Sequence, residues 1–320
     1  CFKPAFNYRP KQSAQYALAI SNFESSTESP QRYNFGFIAS TDDHTARPGT
    51  GYKQYERRKM TFATGVKSKI WEYQYAAEDP NFPEIPKIIP GESQPDSERV
   101  SSFVYPGGIL AVHAEGRGKD EIWKALKNKN VYGTSGPRIL LWFDLINSPE
   151  GQVPMGSVIT MSQNPRFIIK AAGSFKQNPG CSNESIDSLS SERLEYLCAG
   201  ECNNPSNERE VIEKIEIIKI TPQIYAGEAV SPLIQDPWKS IPCQGSGECI
   251  VEFEDQNFSR DSVYYVRAIQ NPTPAINGST LSKRGNFDLC KGSFRTNLKD
   301  DCLSMTNVRA LSSPIYVNKP

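Results

Sequence analysis

The chain has 320 residues, and its 36 lysines and arginines balance its 36 aspartates and glutamates. This length predicts about two domains, and the balanced charge gives no reason to expect a nucleic-acid partner. No stretch approaches the roughly 18 apolar residues of a membrane-spanning helix, so no membrane span is predicted.

Helices and strands alternate in the first part of the chain, as the apolar patterns indicate. The predicted elements are a helix within residues 10–25, a buried strand over 35–39, a strand over 105–112, a helix over 119–129 with an apolar stripe, and a strand over 131–135. This alternation predicts an α/β domain, which we place at residues 1–148.

From Arg138 onward the apolar residues recur at every second position, as in strands. Ile139, Leu141, Phe143 and Leu145 would share one face of a strand. The same alternation recurs over residues 166–172, 214–220, 249–253 and 263–270, with a possible helix over 186–197. Short strands between Pro/Gly/Asn turns predict an all-β, sandwich-like domain over residues 149–320.

The segment GFIASTDDHTARPGTGYK holds one of only two histidines in the chain. Asp42 and His44 follow the predicted strand, and their two-residue spacing puts both side chains on one side of an extended backbone. A carboxylate and an imidazole suit a divalent ion such as zinc or manganese. Asp43 would point the other way. The alternative for Asp42 is to cap a following helix.

The second histidine, His113, follows another predicted strand, and Glu115 lies two residues further on. The spacing again allows both side chains to face one site, with metal or proton-transfer roles. The alternative for His113 is a packed, hydrogen-bonded side chain.

Arg138 closes the run TSGPR after the predicted strand at residues 131–135. Its guanidinium could clamp a carboxylate or phosphate in a bidentate manner. The alternative is a buried salt bridge that joins the two domains.

Eight cysteines lie in the chain, seven of them in its second half, and their spacings do not fit a zinc ribbon. Disulfides across surface loops fit better, which predicts a periplasmic or extracellular protein. Cys243–Cys249 and Cys290–Cys302 are the natural local pairs. Cys181 would join Cys198 or Cys202, and Cys1 would pair with the one left over or with a preceding part of the protein.

Several stretches together resemble one family. They are ASTDDHT, YPGGILAVHAEGRGKDEIWKALKNKNVYGTSGPRI, VIEKIEIIKI, VYYVRAIQNPTPAINGSTL and RALSSPIYV. They resemble the DUF3604 proteins, a bacterial group that is similar to the PHP-type metal-dependent phosphoesterases. His113 departs from this pattern, since tryptophan is expected at its position.

The resemblance implies that residues 1–148 are part of a PHP-like distorted barrel and that Asp42 and His44 are metal ligands. It also implies a preceding half with an H-x-H motif, which this chain lacks. We therefore expect the chain to be the C-terminal part of a metal-dependent hydrolase. Its partner would be that half or a completing chain. Its substrate would be a small anion, and the resemblance implies a phosphoester. The alternative is an extracellular binding or structural module without catalysis.

Overall fold

The fold comes from a computed structural model, which describes residues 11, 13–24, 30–40, 108–198, 203–276 and 303–320. Within these ranges the protein is mostly β. The helices are α1 (Ala14–Ala19), α2 (Lys119–Lys127), α3 (Asn183–Ser188) and α4 (Ser191–Cys198), with a 3-10 turn at Ser231–Leu233.

The strands form four sheets, none of which closes into a barrel in the described ranges. They are β1 (Ile109–Val112), β2 (Val131–Thr134), β3 (Leu140–Ser148), β4 (Gly151–Pro154), β5 (Val158–Thr160), β6 (Arg166–Ala172), β7 (Phe175–Pro179), β8 (Asn203–Arg209), β9 (Ile212–Ile220), β10 (Ile234–Pro242), β11 (Glu248–Glu254), β12 (Ser262–Gln270), β13 (Thr273–Ile276), β14 (Leu303–Thr306), β15 (Arg309–Ser312) and β16 (Ile315–Asn318).

Two large sheets lie on either side of one core. The eight-stranded sheet runs β1-β2-β15-β12-β16-β5, with β9 and β10 added beside β12, and the four-stranded sheet runs β11-β6-β3-β4. All strand pairs in the described residues are antiparallel except β5 with β16. Side chains from both sheets share one buried cluster, so apolar burial between the sheets is the main stabilising term for this part of the chain.

The alternating pattern around β3 predicted its buried face correctly. Ile139, Leu141, Phe143 and Leu145 are all buried, and their neighbours Leu140 and Trp142 are partly exposed on the other face. The strands predicted at residues 166–172, 214–220, 249–253 and 263–270 are confirmed as β6, β9, β11 and β12. The possible helix at 186–197 is two short helices, α3 and α4.

The predicted α/β alternation corresponds to an antiparallel arrangement in the described residues. β1 and β2 pair antiparallel, with Val112 opposite Val131, and the amide of His113 donates to the Asn130 carbonyl. The chain therefore leaves β1 and enters β2 at the same end, and α2 does not cross the sheet as a βαβ helix would. Of the α2 side chains only Ala125 is buried. Trp123, which belongs to the predicted apolar stripe, is exposed.

The predicted strand at residues 35–39 is wrong. This segment has no strand structure, and Ile38 is 67% exposed. Its backbone is held by side-chain hydroxyl groups instead of by a β-ladder, as described below.

Strands from both sides of position 148 take part in the same sheets. β3 ends at Ser148, which pairs with Gly151 at the start of β4, and β2 pairs with β15. The division into domains at residues 148 and 149 stays a prediction. Among the helices that the structure describes, none combines the length and apolar character needed to cross a membrane.

Candidate functional site

The segment that leads to the Asp-x-His motif is anchored on the eight-stranded sheet. The Tyr316 hydroxyl donates to the Phe35 carbonyl at 2.7 Å and accepts from the Phe35 amide at 2.9 Å. The Phe37 amide donates to Ser313 Oγ at 3.0 Å, and the Phe37 ring meets the Tyr265 ring edge-on. Two residues of the β15–β16 region thus fix the path of residues 35–37.

The segment then passes across the β1–β2 hairpin at close range. A methyl group on Gly133 would come within 2.7 Å of the Ala39 side chain, so only glycine allows this approach. The Gly108 amide donates to the Ser40 carbonyl at 3.3 Å. The chain therefore reaches residue 40 at the end of the hairpin where Ile109 pairs with Thr134.

Asp42 and His44 lie outside the described residues. Their convergence with Arg138, and their role as metal ligands, stay predictions. The described segment does place Ser40 beside Thr134. Thr134 lies four positions before Arg138 in the sequence.

His113 follows β1 at the other end of the β1–β2 pair, about 13 Å along the strand direction from Ile109 at the usual rise per residue. One ring nitrogen, Nε2, lies 2.8 Å from the Leu141 carbonyl oxygen, to which it donates as an N–H. The ring centroid lies 5.3 Å from that of Tyr132 and 5.7 Å from that of Trp142. The side chain thus links β1 to β3, and its catalytic role stays a prediction.

Glu115 and Arg138 both lie at the surface. The Glu115 side chain is 83% exposed and its carboxylate lies 3.5 Å from Lys124 Nζ on α2, so its recorded contact is with Lys124 and not with His113. Arg138 is exposed, and the buried salt bridge considered for it is therefore wrong. Its role as an anion clamp stays a prediction.

One acidic residue near His113 was not predicted. Asp144 lies half-buried on the outer face of β3 and accepts a hydrogen bond from Gln152 Nε2 at 2.8 Å. Burial raises the pKa of Asp144, while the Gln152 hydrogen bond and the neighbouring His113 and Lys170 side chains act against that rise. The available signal was a single carboxylate within the apolar run LLWFDLI.

The structure confirms one disulfide pairing. Cys243 and Cys249 are bonded, with their Cα atoms 5.7 Å apart, across the turn between β10 and β11. Cys181 is also disulfide-bonded. The other predicted pairs involve Cys1, Cys202, Cys290, Cys302 and the side chain of Cys198, all of which lie outside the described residues.

Among the described residues no three or more His, Cys, Asp or Glu side chains are grouped as a metal centre would require. A concave site of about 440 Å³ lies on α2, where Asp120, Trp123 and Lys127 contribute to its lining. Its chemistry is that of an exposed amphipathic helix face.

Comparison with known proteins finds one family that matches part of the chain. No curated protein matches the chain, and no solved structure does. The resemblance noted for residues 211–220, 263–281 and 309–317 stays a prediction. Residues 22–179, which include all five candidate metal-binding and catalytic residues, match the family described as a protein of unknown function (DUF3604).

Proposed function

We propose that the chain is the C-terminal part of a PHP-like, metal-dependent hydrolase in which Asp42 and His44 bind a divalent ion. In this proposal the residues up to 148 contribute to a distorted α/β barrel that the preceding half completes, while their strands β2 and β3 also pair with strands of the appended β-sandwich. The substrate is a small anion, in the first place a phosphoester.

The anchored segment at residues 35–40 is the observation that carries this proposal. A hydrogen bond from the Tyr316 hydroxyl to the Phe35 carbonyl and one from the Phe37 amide to Ser313 Oγ fix its path, and the close contact with Gly133 fixes its end. A metal ligand has to be held in place by its surroundings. Ser40 is held in this way, since its carbonyl accepts a hydrogen bond from the Gly108 amide. Asp42 and His44 follow within four positions.

Two ligands do not make a complete centre, and the described residues add no ligand cluster of their own. In the proposal the remaining ligands come from a preceding half of the protein or from a completing chain. The bound ion, zinc or manganese, would supply an activated water and polarise the ester. Arg138, which is exposed, would bind the anionic group of the substrate.

Metal analysis of the natural full-length protein tests the proposal. We expect Asp42→Asn and His44→Ala to lower the bound metal at least tenfold, the usual scale for a lost ligand or its support. Asp43→Asn is the matched control, because the alternation of side chains along an extended backbone predicts that Asp43 faces away from the ion, and metal content should stay unchanged. Full metal content in the Asp42 and His44 variants would contradict the proposal.

Hydrolysis provides the second measurement. Release of p-nitrophenol from bis(p-nitrophenyl) phosphate should follow metal content across the three variants. Metal binding without hydrolysis would support Asp42 and His44 as metal ligands and would contradict a phosphoester as the substrate.

A periplasmic or extracellular location forms part of the proposal. It is supported by the Cys243–Cys249 disulfide, since such bonds persist in oxidising compartments. Thiol counting on protein isolated without reductant tests it, and two reactive thiols at these positions would argue against it.

A non-catalytic binding module is the second candidate. Leu140, Trp142 and Ile250 are exposed together on the outer face of the four-stranded sheet, with Ile250 64% exposed. Apolar groups gathered on a surface often mark a contact site. Natural full-length protein that carries no metal and hydrolyses no phosphoester would favour this candidate.

A further inference from the structure

A lysine lies in the interior between the two large sheets. Lys219 is on the core-facing side of β9, directly opposite Tyr264 on β12, and only 6% of the residue is exposed. Its Nζ atom lies 5.1 Å from the centre of the Trp238 ring and 5.9 Å from that of Tyr264. An ammonium group in such a place carries a large desolvation cost.

The partner of this lysine is a carboxyl group on the other sheet. Asp255, which immediately follows β11, is fully buried, and its Oδ2 atom lies 2.5 Å from Lys219 Nζ. The Tyr264 hydroxyl donates to the same oxygen at 2.5 Å. The other oxygen, Oδ1, accepts from the Asn257 amide at 3.1 Å. Every carboxyl oxygen is therefore held in a defined direction.

We propose that Lys219 and Asp255 condense to an intramolecular isopeptide bond, which cross-links the two sheets. Proton transfer from the ammonium to the carboxylate first gives a neutral amine and a neutral acid, which an apolar interior favours over two ions. The fold then holds the amine next to the carboxyl carbon. Such fixed proximity avoids the entropy loss that a bimolecular reaction would require.

The reaction balances without an oxidant, a reductant or a further reactant. Nζ attacks Cγ of Asp255, the Nζ–Cγ bond forms, and the Cγ–Oδ2 bond breaks. Oδ2 leaves as water with two of the three ammonium protons, and the third stays on the amide nitrogen. The Asn257 N–H stabilises the negative charge that develops on Oδ1, as an oxyanion-hole donor does.

Tyr264 assists the departure of Oδ2 without losing its own proton. Burial and the neighbouring Asp255 charge raise the pKa of the Tyr264 hydroxyl far above its ordinary value. The hydroxyl therefore remains a donor to Oδ2 at neutral pH. Tyr264→Phe removes that donor, and we expect it to slow formation of the bond.

Mass spectrometry of the folded, purified chain tests the proposal after denaturation and reduction of disulfides. We expect a mass lower than that of the sequence by one water, and a branched peptide in a digest that joins the Lys219 and Asp255 peptides. Lys219→Met and Asp255→Ala should both have their full calculated masses. Lys239→Met is the matched control, since Lys239 also lies against Trp238, at 4.4 Å, and should keep the loss of water.

The branched peptide decides the matter even where the variants fail to fold, because it is sought in the unaltered chain. Linear Lys219 and Asp255 peptides at the full calculated mass would overturn the proposal and leave an ordinary buried ion pair. Loss of water without a branched peptide would also overturn it, since an aspartate can lose water by closing on its own backbone.

Discussion

Phe143 shows how much of the stability rests on single side chains between the sheets. It has no exposed surface, and its ring stacks at 5.3 Å on Phe167, which in turn stacks at 4.7 Å on Phe253. Three strands of the four-stranded sheet therefore meet through these rings.

Phe143→Ala should lower the free energy of unfolding by about 3–5 kcal/mol, because it removes buried apolar surface and leaves a cavity. Ile250→Ala on the same sheet is the control, since Ile250 is mostly exposed and a change there should stay within about 0.5 kcal/mol. Urea denaturation followed by circular dichroism measures both. Equal losses in the two variants would contradict the assignment of Phe143 to the core.

Asp144 gives a pH-dependent prediction at the same scale. Its pKa is raised in the folded state, chiefly by burial, so its protonated form stabilises the fold. That contribution is complete below the unfolded pKa and is lost as the pH rises through the folded pKa. Asp144→Asn has no charge and can still accept the Gln152 hydrogen bond.

The Asp144→Asn variant should therefore be more stable than the original protein at neutral pH, and the difference should vanish in acid below the ordinary pKa of aspartate. Urea midpoints measured at neutral pH and in acid compare the two proteins. A gain that is equal at both pH values would show that the charge of Asp144 is not the cause.

At the scale of elements, sequence patterns predicted the strands whose apolar alternation is visible in their own residues. Alternation over residues 139–145 and 166–172 predicted β3 and β6, because a half-buried strand imposes period two on its own sequence. The apolar run at 35–39 looked similar but forms no strand. Its partners, Tyr316 and Ser313, lie more than 270 positions away, and no local pattern records them.

Tyr316→Phe tests whether these distant hydroxyl groups hold the segment. Burial raises the pKa of Tyr316 to about 12, so the hydroxyl keeps its proton and both hydrogen bonds to Phe35 at neutral pH. Each bond contributes about 0.5–1.5 kcal/mol. We expect faster amide hydrogen exchange at residues 33–40 in the variant.

Tyr225→Phe is the matched control, because Tyr225 is 59% exposed and lies elsewhere on the surface. Hydrogen exchange read by mass spectrometry on a peptide that covers residues 33–40 makes the comparison. Unchanged exchange in Tyr316→Phe would mean that the segment is held by other contacts.

At the scale of the whole molecule, the candidate site was only partly predictable. The motif around Asp42 and His44 was visible because a carboxylate and an imidazole at alternate positions form a local pattern. The hydrogen bond of His113 could not be predicted, since its acceptor is a backbone carbonyl 28 positions away. The Asp255 partner of Lys219 was missed for the same reason, as the two residues belong to different sheets.

The change of apolar period near Arg138 is the basis of the predicted domain boundary at residue 148, which stays a prediction, since such a change indicates a new type of element and does not locate the end of a sheet. β3 lies between β6 and β4, and its Leu141, Phe143 and Leu145 side chains belong to the core shared by both large sheets. A chain of residues 149–320 lacks this central strand. It would expose the buried faces of β6 and of the sheet opposite.

We therefore expect residues 149–320 to show no cooperative urea transition, whereas residues 108–320, which keep β1, β2 and β3, should unfold in one sharp transition. The longer chain is the control, because it restores the pairing of β2 with β15 and of β3 with β6. Intrinsic fluorescence measures both transitions. A sharp transition in residues 149–320 alone would show that they fold as a domain and that β3 is an addition to it.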